Sequence, residues 1–279
     1  MPINKIVSSF DEAVADMFDG MTLLVGGFGT AASIPNCLLE AVARKGVKNI
    51  TTVSNTGGFG PDIWKMQGHK FTTDLDILIR NHLVKKAIIS SPVSALFENN
   101  FEKQWRSGEL EMEMIPQGTL AERVRAGKAG LGGIYIPTGV GTEVEEGKEK
   151  KVINGREYLL ELPIYGDFAI IHAHKADRWG NLVYRRASRT FNATMAGAAK
   201  VTIAEVDEIV ELGELDPDHI VTPGVYVDRV VLRPKEPEVD AEITDDEAVK
   251  ALKKFQSDIT GATEKKKQLT QNSDKGGAR

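Results

Sequence analysis

Apolar positions change period several times along the chain, and the first changes say the most. Thr22–Val25 is a short apolar and β-branched run that predicts a buried strand. Gly26, Gly27 and Gly29 interrupt it. From Ile34 or Pro35 the pattern turns helical, with Leu38, Leu39 and Val42 on one face, Ser33 as the N-cap and Pro35 in the first turn. Thr51–Ser54 predicts a second strand. Strand, glycine turn, helix, strand is a βαβ unit, and parallel α/β sheets bind ligands beyond the carboxyl ends of their strands. Glycines at such an end let a ligand approach the backbone, and the helix start offers free N–H groups to an anion. The same glycines equally suit a plain tight turn, so this stretch alone leaves both readings open.

The rest of the chain continues the alternation. Residues 9–18 open an amphipathic helix, with capping-box spacing between Ser9 and Glu12. Asn55–Pro61 is a second loop at a strand's carboxyl end, and two such loops on neighbouring strands would line one crevice. Residues 62–86 mix helix and strand signals and predict no single element. Strands are expected over 85–90, 110–115, 168–173, 182–184, 201–206 and 209–212, with a last one over 225–232. Helices are expected over 96–106, over 191–199 and in the segment ending at Arg125, where Thr119 and Glu122 again have capping-box spacing. Glycine-rich 127–141 reads as loop or short strand, 143–151 as a charged, solvated turn, and 152–162 as a hairpin about Asn154-Gly155. Composition shifts after Arg233. Residues 1–232 read as the main domain, and 233–279 as a charged linker, a short helix capped from Thr244 and a disordered tail.

Composition narrows the classes without changing this picture. A chain of 279 residues suits one large α/β domain or two small ones, and 41% hydrophobic with 27% charged residues is ordinary for a soluble globular protein. The net charge of −5 supplies no basic field for nucleic acid. No apolar run approaches the ~20 residues of a membrane span, and the N-terminal stretch has no signal-peptide apolar core. Cys37 is the single cysteine. It has no internal disulfide partner and is expected in the core, in a cytoplasmic, reducing setting.

Candidate chemistry is sparse. Gly27–Ala32 satisfies the loose dinucleotide pattern G-x-G-x-x-A, but Ser54 and Asn55 stand where a ribose-binding acid belongs, which argues against a nicotinamide cofactor. Phosphate-loop and serine nucleophile-elbow motifs are both missing. His172 and His174 share a strand face and, with Asp177, raise the question of a metal. Two histidines without further ligand spacing make a poor zinc site, so strand-end packing is the better reading and no metal is assigned. Arg185, Arg186 and Arg189, near Lys175, form a basic cluster best read as solvated or ion-paired. Asn55 and Gln117 are more telling. Each is a neutral hydrogen-bond donor in a loop directly after a strand and close to a glycine. Such amides suit an oxyanion hole; the plain alternative is that they cap turns.

Six blocks in order give these residues a context: GGFGTAASIP, TVSNTGG, PQGTLAERVRAGKAGLGG, PTGVGTEVEEGKE, DFAIIHAHKADRWGNLVYRRASRTFN and ELGELDPDHIVTPGVYVDRVV. Over about residues 9–232 the sequence resembles the α (A) subunit of family I coenzyme A transferases, which include acetate (acetoacetyl-CoA) and succinyl-CoA:3-oxoacid transferases. The resemblance implies an α/β fold with a mostly parallel sheet flanked by helices, of the coenzyme A transferase type and related to sugar-phosphate isomerase folds. It implies transfer of coenzyme A between an acyl-CoA and a short carboxylate or 3-oxo acid, through a glutamyl-CoA intermediate. Coenzyme A is then a substrate, and neither a metal nor a tightly bound cofactor is needed. The family's nucleophilic glutamate lies in a Ser-Glu-Asn-Gly motif on a β subunit. This chain lacks that motif, and Phe97-Glu98-Asn99-Asn100 inside a predicted helix is no substitute. The implied assembly is therefore an α/β heterotetramer in which the partner brings the glutamate. By similarity of motif, Gly26, Gly27, Phe28, Gly29, Thr30, Ala31 and Ala32 contact coenzyme A, while Asn55 and Gln117 stabilise or orient the acyl group. Ala32 stands where the family motif usually has glycine, and one extra residue precedes Pro35. The alternative is a relative that keeps the fold as a hydrolase or coenzyme A-binding partner without transfer.

Overall fold

A computed structural model of the protein describes residues 3–28, 33–66, 68–92, 98–235 and Ser257. A short helix, α1 (Phe10–Ala13), precedes β1 (Thr22–Val25), followed by α2 (Asn36–Lys45) and β2 (Ile50–Thr56). Two short helices, α3 (Pro61–Met66) and α4 (Asp76–Arg80), lead to β3 (Val84–Ser91), and α5 (Asn100–Arg106) leads to β4 (Glu111–Met114). Beyond α6 (Gln117–Ala129), the strands β5 (Ile134–Ile136), β6 (Lys150–Ile153) and β7 (Arg156–Glu161) form a small antiparallel sheet ordered β5-β7-β6. The chain then returns through β8 (Gly166–Asp177), β9 (Leu182–Val183), α7 (Thr190–Met195), β10 (Ala199–Val210) and β11 (Arg229–Leu232).

The main sheet is ordered β11-β10-β8-β1-β2-β3-β4 and is parallel along that whole path, with β9 antiparallel on β8. From β1 the strands step outward through β2, β3 and β4. From β8, on the other side of β1, they step outward through β10 and β11. The order therefore reverses between β1 and β8, and crevices open beyond the carboxyl ends of strands at such a switch point.

Both faces of the sheet are covered, so its strands carry apolar residues on both sides. Leu23, Val25, Phe168, Ile170 and Ile203 pack against α1, α2, α4 and Phe101 of α5. Leu24, Ala169, Ile171 and Ala204 pack on the opposite face with Leu120 and Val124 of α6 and Phe191 and Met195 of α7. Cys37 is buried in α2. The hairpin about Asn154-Gly155 forms as expected, with Ile153 opposite Arg156. Among the described residues, no helix is long and apolar enough to cross a membrane.

Several boundaries differ from the sequence expectation for identifiable reasons. Ser33 does not cap α2. Its hydroxyl is bonded to the backbone of Phe28, and the helix starts at Asn36 after a Pro35 in non-helical conformation. The first-turn N–H of Leu38 is satisfied instead by Glu205 of β10, at 3.0 Å. Similarly, α6 begins at Gln117 with Pro116 as its N-cap, so Thr119 lies inside the helix and its hydroxyl is buried without a partner. Asn55 belongs to β2 rather than to the loop after it. The expected strands over 201–206 and 209–212 are one strand, β10, which pairs with β8 in a single register from Val201 to Val210. The glycine-rich segment has a short strand at 134–136, as expected, but its first residues, 127–129, close α6. Helix α1 spans only Phe10–Ala13, capped by Ser9 on Glu12 N, while the Glu12 carboxylate accepts from Ser8. In 62–86 the ambiguous pattern resolves into two short helices and the start of β3. Residues 236–256 and 258–279, and with them the predicted linker and capped helix, lie outside the described residues.

Candidate active site

The glycine turn after β1 is set by close approach. Gly26 N donates to Ile170 O of β8 at 2.9 Å. A Cβ on Gly26 would stand 2.0 Å from Oδ1 of Asn192, so no larger residue fits without moving that side chain. Asn192 is fully buried on α7. Its Oδ1 accepts from His172 N at 2.9 Å, and its Nδ2 donates to Ser33 O at 2.7 Å and Ser188 O at 2.8 Å. Gly27 adopts φ +96°, and a Cβ there would lie 2.7 Å from Ser33 O. Ser33 Oγ in turn accepts from Phe28 N at 3.0 Å. The turn is thus fixed at both ends, and Phe28 is left partly exposed beside a cavity. Gly29, Thr30, Ala31 and Ala32 lie outside the described residues.

That cavity, of about 370 Å³ including its open mouth, sits beyond the carboxyl ends of β1 and β2. Its polar lining includes Ser54, Asn55, Thr56 and Asp74; its apolar lining includes Val25, Phe28, Ile34, Phe59, Trp64 and Leu75. The expected crevice between the loops of two neighbouring strands is therefore present. Among the described residues, no glutamate, lysine, arginine or histidine lines it.

Asn55 and Gln117 come together although β3 lies between their strands. Gln117 Nε2, at the first residue of α6, donates to Asn55 Oδ1 at 3.0 Å. Ser90 of β3 bridges the gap, with its Oγ 2.9 Å from the same Oδ1 and 3.0 Å from Asn55 O. The Asn55 amide oxygen is thereby engaged twice, on a residue that lines the cavity. Gln117 itself is exposed and reaches Asn55 rather than the cavity wall.

Two clusters of largely buried ionisable groups, the first on the cavity wall, are not evident from spacing alone. The first is Asp74, whose carboxylate accepts from Phe59 N (2.6 Å), Gly60 N (3.2 Å), Trp64 Nε1 (2.8 Å) and Asp76 N (3.0 Å). Burial pushes Asp74 above the usual carboxylate range, against the pull of these hydrogen bonds. Burial, with the adjacent Asp74 charge, raises Asp76 to about 6. The second group lies where the α2 face of β8 and β10 turns polar. Arg233, just past β11, contacts Glu205 (3.3 Å), His172 Nε2 (3.2 Å) and Asn36 Oδ1 (2.7 Å), and stacks 3.5 Å from the Phe71 ring centroid. Burial raises Glu205, and the charges of Arg233 and His172 oppose it. For Asp207, burial is outweighed by hydrogen bonds from His172 and His174 and by Arg233, which bring it down to about 2.

The remaining candidates fall into plain roles. His172 and His174 are joined by Asp207, at 3.0 and 3.2 Å, while Asp177 instead accepts from Trp179 N and Asn181 N in the next turn. Lys175 pairs with Glu208 at 2.8 Å. Glu98 pairs with Arg106 at 3.3 Å on the surface, and Asn99 caps α5.

A doubly wound parallel sheet with a mostly apolar cavity and a clamped amide beyond the carboxyl ends of β1 and β2 defines an α/β protein with a candidate small-ligand site at its strand ends. Comparison with known proteins names the family. The family described as Coenzyme A transferase matches residues 7–233, so the chain belongs to the coenzyme A transferase family. Its relatives there are α (A) subunits. The α (A) subunit of the probable succinyl-CoA:3-ketoacid coenzyme A transferase of Bacillus subtilis (strain 168) is 51% identical over 231 residues, covering 82% of this chain and 90% of the relative. The α (A) subunit of the 3-oxoadipate CoA-transferase of Pseudomonas putida is 46% identical over 229 residues, covering 82% and 94%. The alpha subunit of the acetate CoA-transferase of Escherichia coli (strain K12) is 42% identical over 224 residues, covering 80% and 95%. Among solved structures, the acyl-CoA transferase YdiF of Escherichia coli O157:H7 superposes with a TM-score of 0.71 at 23% identity. That match covers 89% of this chain and 51% of YdiF, and it speaks for the fold. The family and the mostly parallel α/β architecture expected from the sequence both hold.

Proposed function

We propose that this chain is the α subunit of a coenzyme A transferase that moves coenzyme A between an acyl-CoA and a short carboxylate or 3-oxo acid, with the attacking glutamate supplied by a β subunit. In this reading the partner's glutamate oxygen bonds to the acyl carbon of the thioester, and the carbonyl oxygen becomes an oxyanion. The carbon–sulfur bond breaks and coenzyme A leaves as thiolate, giving an acyl-glutamyl anhydride. Attack of the thiolate on the glutamyl carbonyl releases the acyl carboxylate and leaves a glutamyl-CoA thioester. An incoming carboxylate then runs the same steps in reverse.

The part of this chain is to bind and polarise. The amide nitrogen of Asn55 donates to the developing oxyanion, which a neutral, fixed donor stabilises without a proton transfer of its own. Gln117 and Ser90 hold the Asn55 amide plane. Gly26 and Gly27 give coenzyme A a backbone edge without side chains, beside the Phe28 ring; by similarity of motif Gly29, Thr30, Ala31 and Ala32 also belong to the coenzyme A contact. The observation that supports this reading is that Asn55 lines the cavity with its Oδ1 already engaged twice, which leaves its amide nitrogen for the acyl group. The described cavity lining offers no glutamate of its own, which is consistent with a nucleophile from another chain.

The test is thioester transfer by this chain co-purified with a β subunit, with succinyl-CoA as donor and acetoacetate, acetate or 3-oxoadipate as acceptor. Transfer should require both chains and a carboxylate acceptor. Asn55→Ala should lower kcat by roughly 100-fold, the usual cost of one oxyanion donor. Gln117→Ala should lower kcat less, and should add nothing in the Asn55→Ala background if it acts through Asn55. Transfer by the isolated chain, hydrolysis without any acceptor, or an Asn55→Ala complex at the wild-type rate would each defeat the proposal.

A further inference from the structure

We infer that Asp74 is a positioning residue that sets how long an acyl chain the cavity admits, an inference that rests on the acyl-transfer reading above. If Asn55 meets the thioester carbonyl, the rest of the acyl group occupies the remaining cavity, whose apolar lining includes Phe59, Trp64 and Leu75. Phe59 and Trp64 meet edge to face, with ring centroids 5.8 Å apart and planes at 76°. Neither ring is placed by a long element. Phe59 lies in a glycine loop and Trp64 on a helix of 6 residues.

What places them is one buried carboxylate. Asp74 takes the backbone N–H of Phe59, the backbone N–H of Gly60 and the indole N–H of Trp64, at 2.6, 3.2 and 2.8 Å. The loop is also clamped from behind. A Cβ on Gly58 would lie 2.3 Å from Asp76 N, and one on Gly57 would lie 2.6 Å from the Phe101 ring. The loop therefore has one seating, and Asp74 ties both aromatic residues to it. Losing that tie frees the wall of the cavity while leaving the Asn55, Ser90 and Gln117 bonds in place.

The experiment is a chain-length profile of kcat/KM for acetate, butyrate and hexanoate as acceptors, using the α–β complex and one acyl-CoA donor. The variants are Asp74→Asn, Trp64→Phe (which keeps a ring and removes the N–H tie) and Asn55→Ala. The wild type should favour the shorter acids. Asp74→Asn and Trp64→Phe should raise the hexanoate-to-acetate ratio by about tenfold, within what one or two methylenes contribute in an apolar pocket. Asn55→Ala should depress all three acids together and leave the ratio unchanged. A structural defect would likewise depress all acids alike, so an unchanged ratio in an active variant overturns the inference while leaving the transfer reading intact. If Asp74→Asn does not fold, Trp64→Phe decides by the same ratio. A wild-type profile that is flat or rises with chain length also overturns it, and a complex that transfers to no acid overturns the transfer reading and this inference together.

Discussion

Gly26→Ala should be among the most damaging methyl additions in the chain, and its cost follows from the contact beneath it. The added Cβ would stand 2.0 Å from Asn192 Oδ1, well inside van der Waals contact. Asn192 must yield, because Gly26 is pinned to Ile170 of the neighbouring strand. When it yields it loses its bonds to His172 N, Ser33 O and Ser188 O. Three hydrogen bonds at about 1 kcal/mol each, with a buried N–H left unsatisfied, amount to a loss of about 3–4 kcal/mol. Urea denaturation of the purified chain would read this as a lower midpoint at unchanged slope. Asn192→Ala alone should cost about 2–3 kcal/mol through the same bonds. In that background the next contact of the new methyl is Asn192 Cα at 3.3 Å, which is tight but tolerable. The double variant should therefore be little worse than Asn192→Ala, giving a coupling energy of at least about 2 kcal/mol. A Gly26→Ala protein within about 0.5 kcal/mol of wild type, or additive losses in the double variant, would refute the packing argument.

The ionisable clusters predict opposite pH limbs. Asp207, held down to about 2, contributes stability that is present above its unfolded pKa and lost as pH falls through about 2. Because its side chain is 39% exposed, the contribution is discounted to about 1 kcal/mol. Acid titration of stability in Asp207→Asn should lack that limb; an identical acid limb would count against the His172–Asp207–His174 arrangement. Asp76, raised to about 6, behaves in reverse: its contribution is complete below the unfolded pKa and disappears as pH rises through about 6. Asp76→Asn keeps an acceptor for Asn100, so it should gain about 2 kcal/mol relative to wild type between pH 4 and 8. A stability difference between the two that stays constant over that range would show that Asp76 does not carry its proton into the fold.

How far these features can be read from the sequence depends on how local their causes are. The first βαβ unit is legible because Leu23, Val25, Leu38 and Val42 owe their pattern to neighbours within a few dozen residues. Asn55 and Gln117 are legible as loop-end amides beside glycines, but their meeting depends on β3 lying between β2 and β4, with Ser90 as the bridge. That order is a property of the sheet and not of any window of sequence. Asp74 escapes notice because its partners are backbone N–H groups and one indole, in a stretch whose helices are too short to show a period. Glu205 is hidden for a related reason. It caps α2 from a distant strand, and polar residues in β10 look like breaks until their partners on β8 and at Arg233 are known. Ser33 reads as a cap by type and position, yet its hydroxyl is drawn to Phe28 by a turn that spacing cannot reveal.

Where covalently bound coenzyme A ends up tests most directly whether this chain is half of a divided active site. The α–β complex would be incubated with acyl-CoA in the absence of an acceptor, denatured, and its two chains weighed separately by intact mass spectrometry. The expected result is a coenzyme A adduct on a glutamate of the β chain, with this chain unmodified. An adduct on any glutamate of this chain would contradict it.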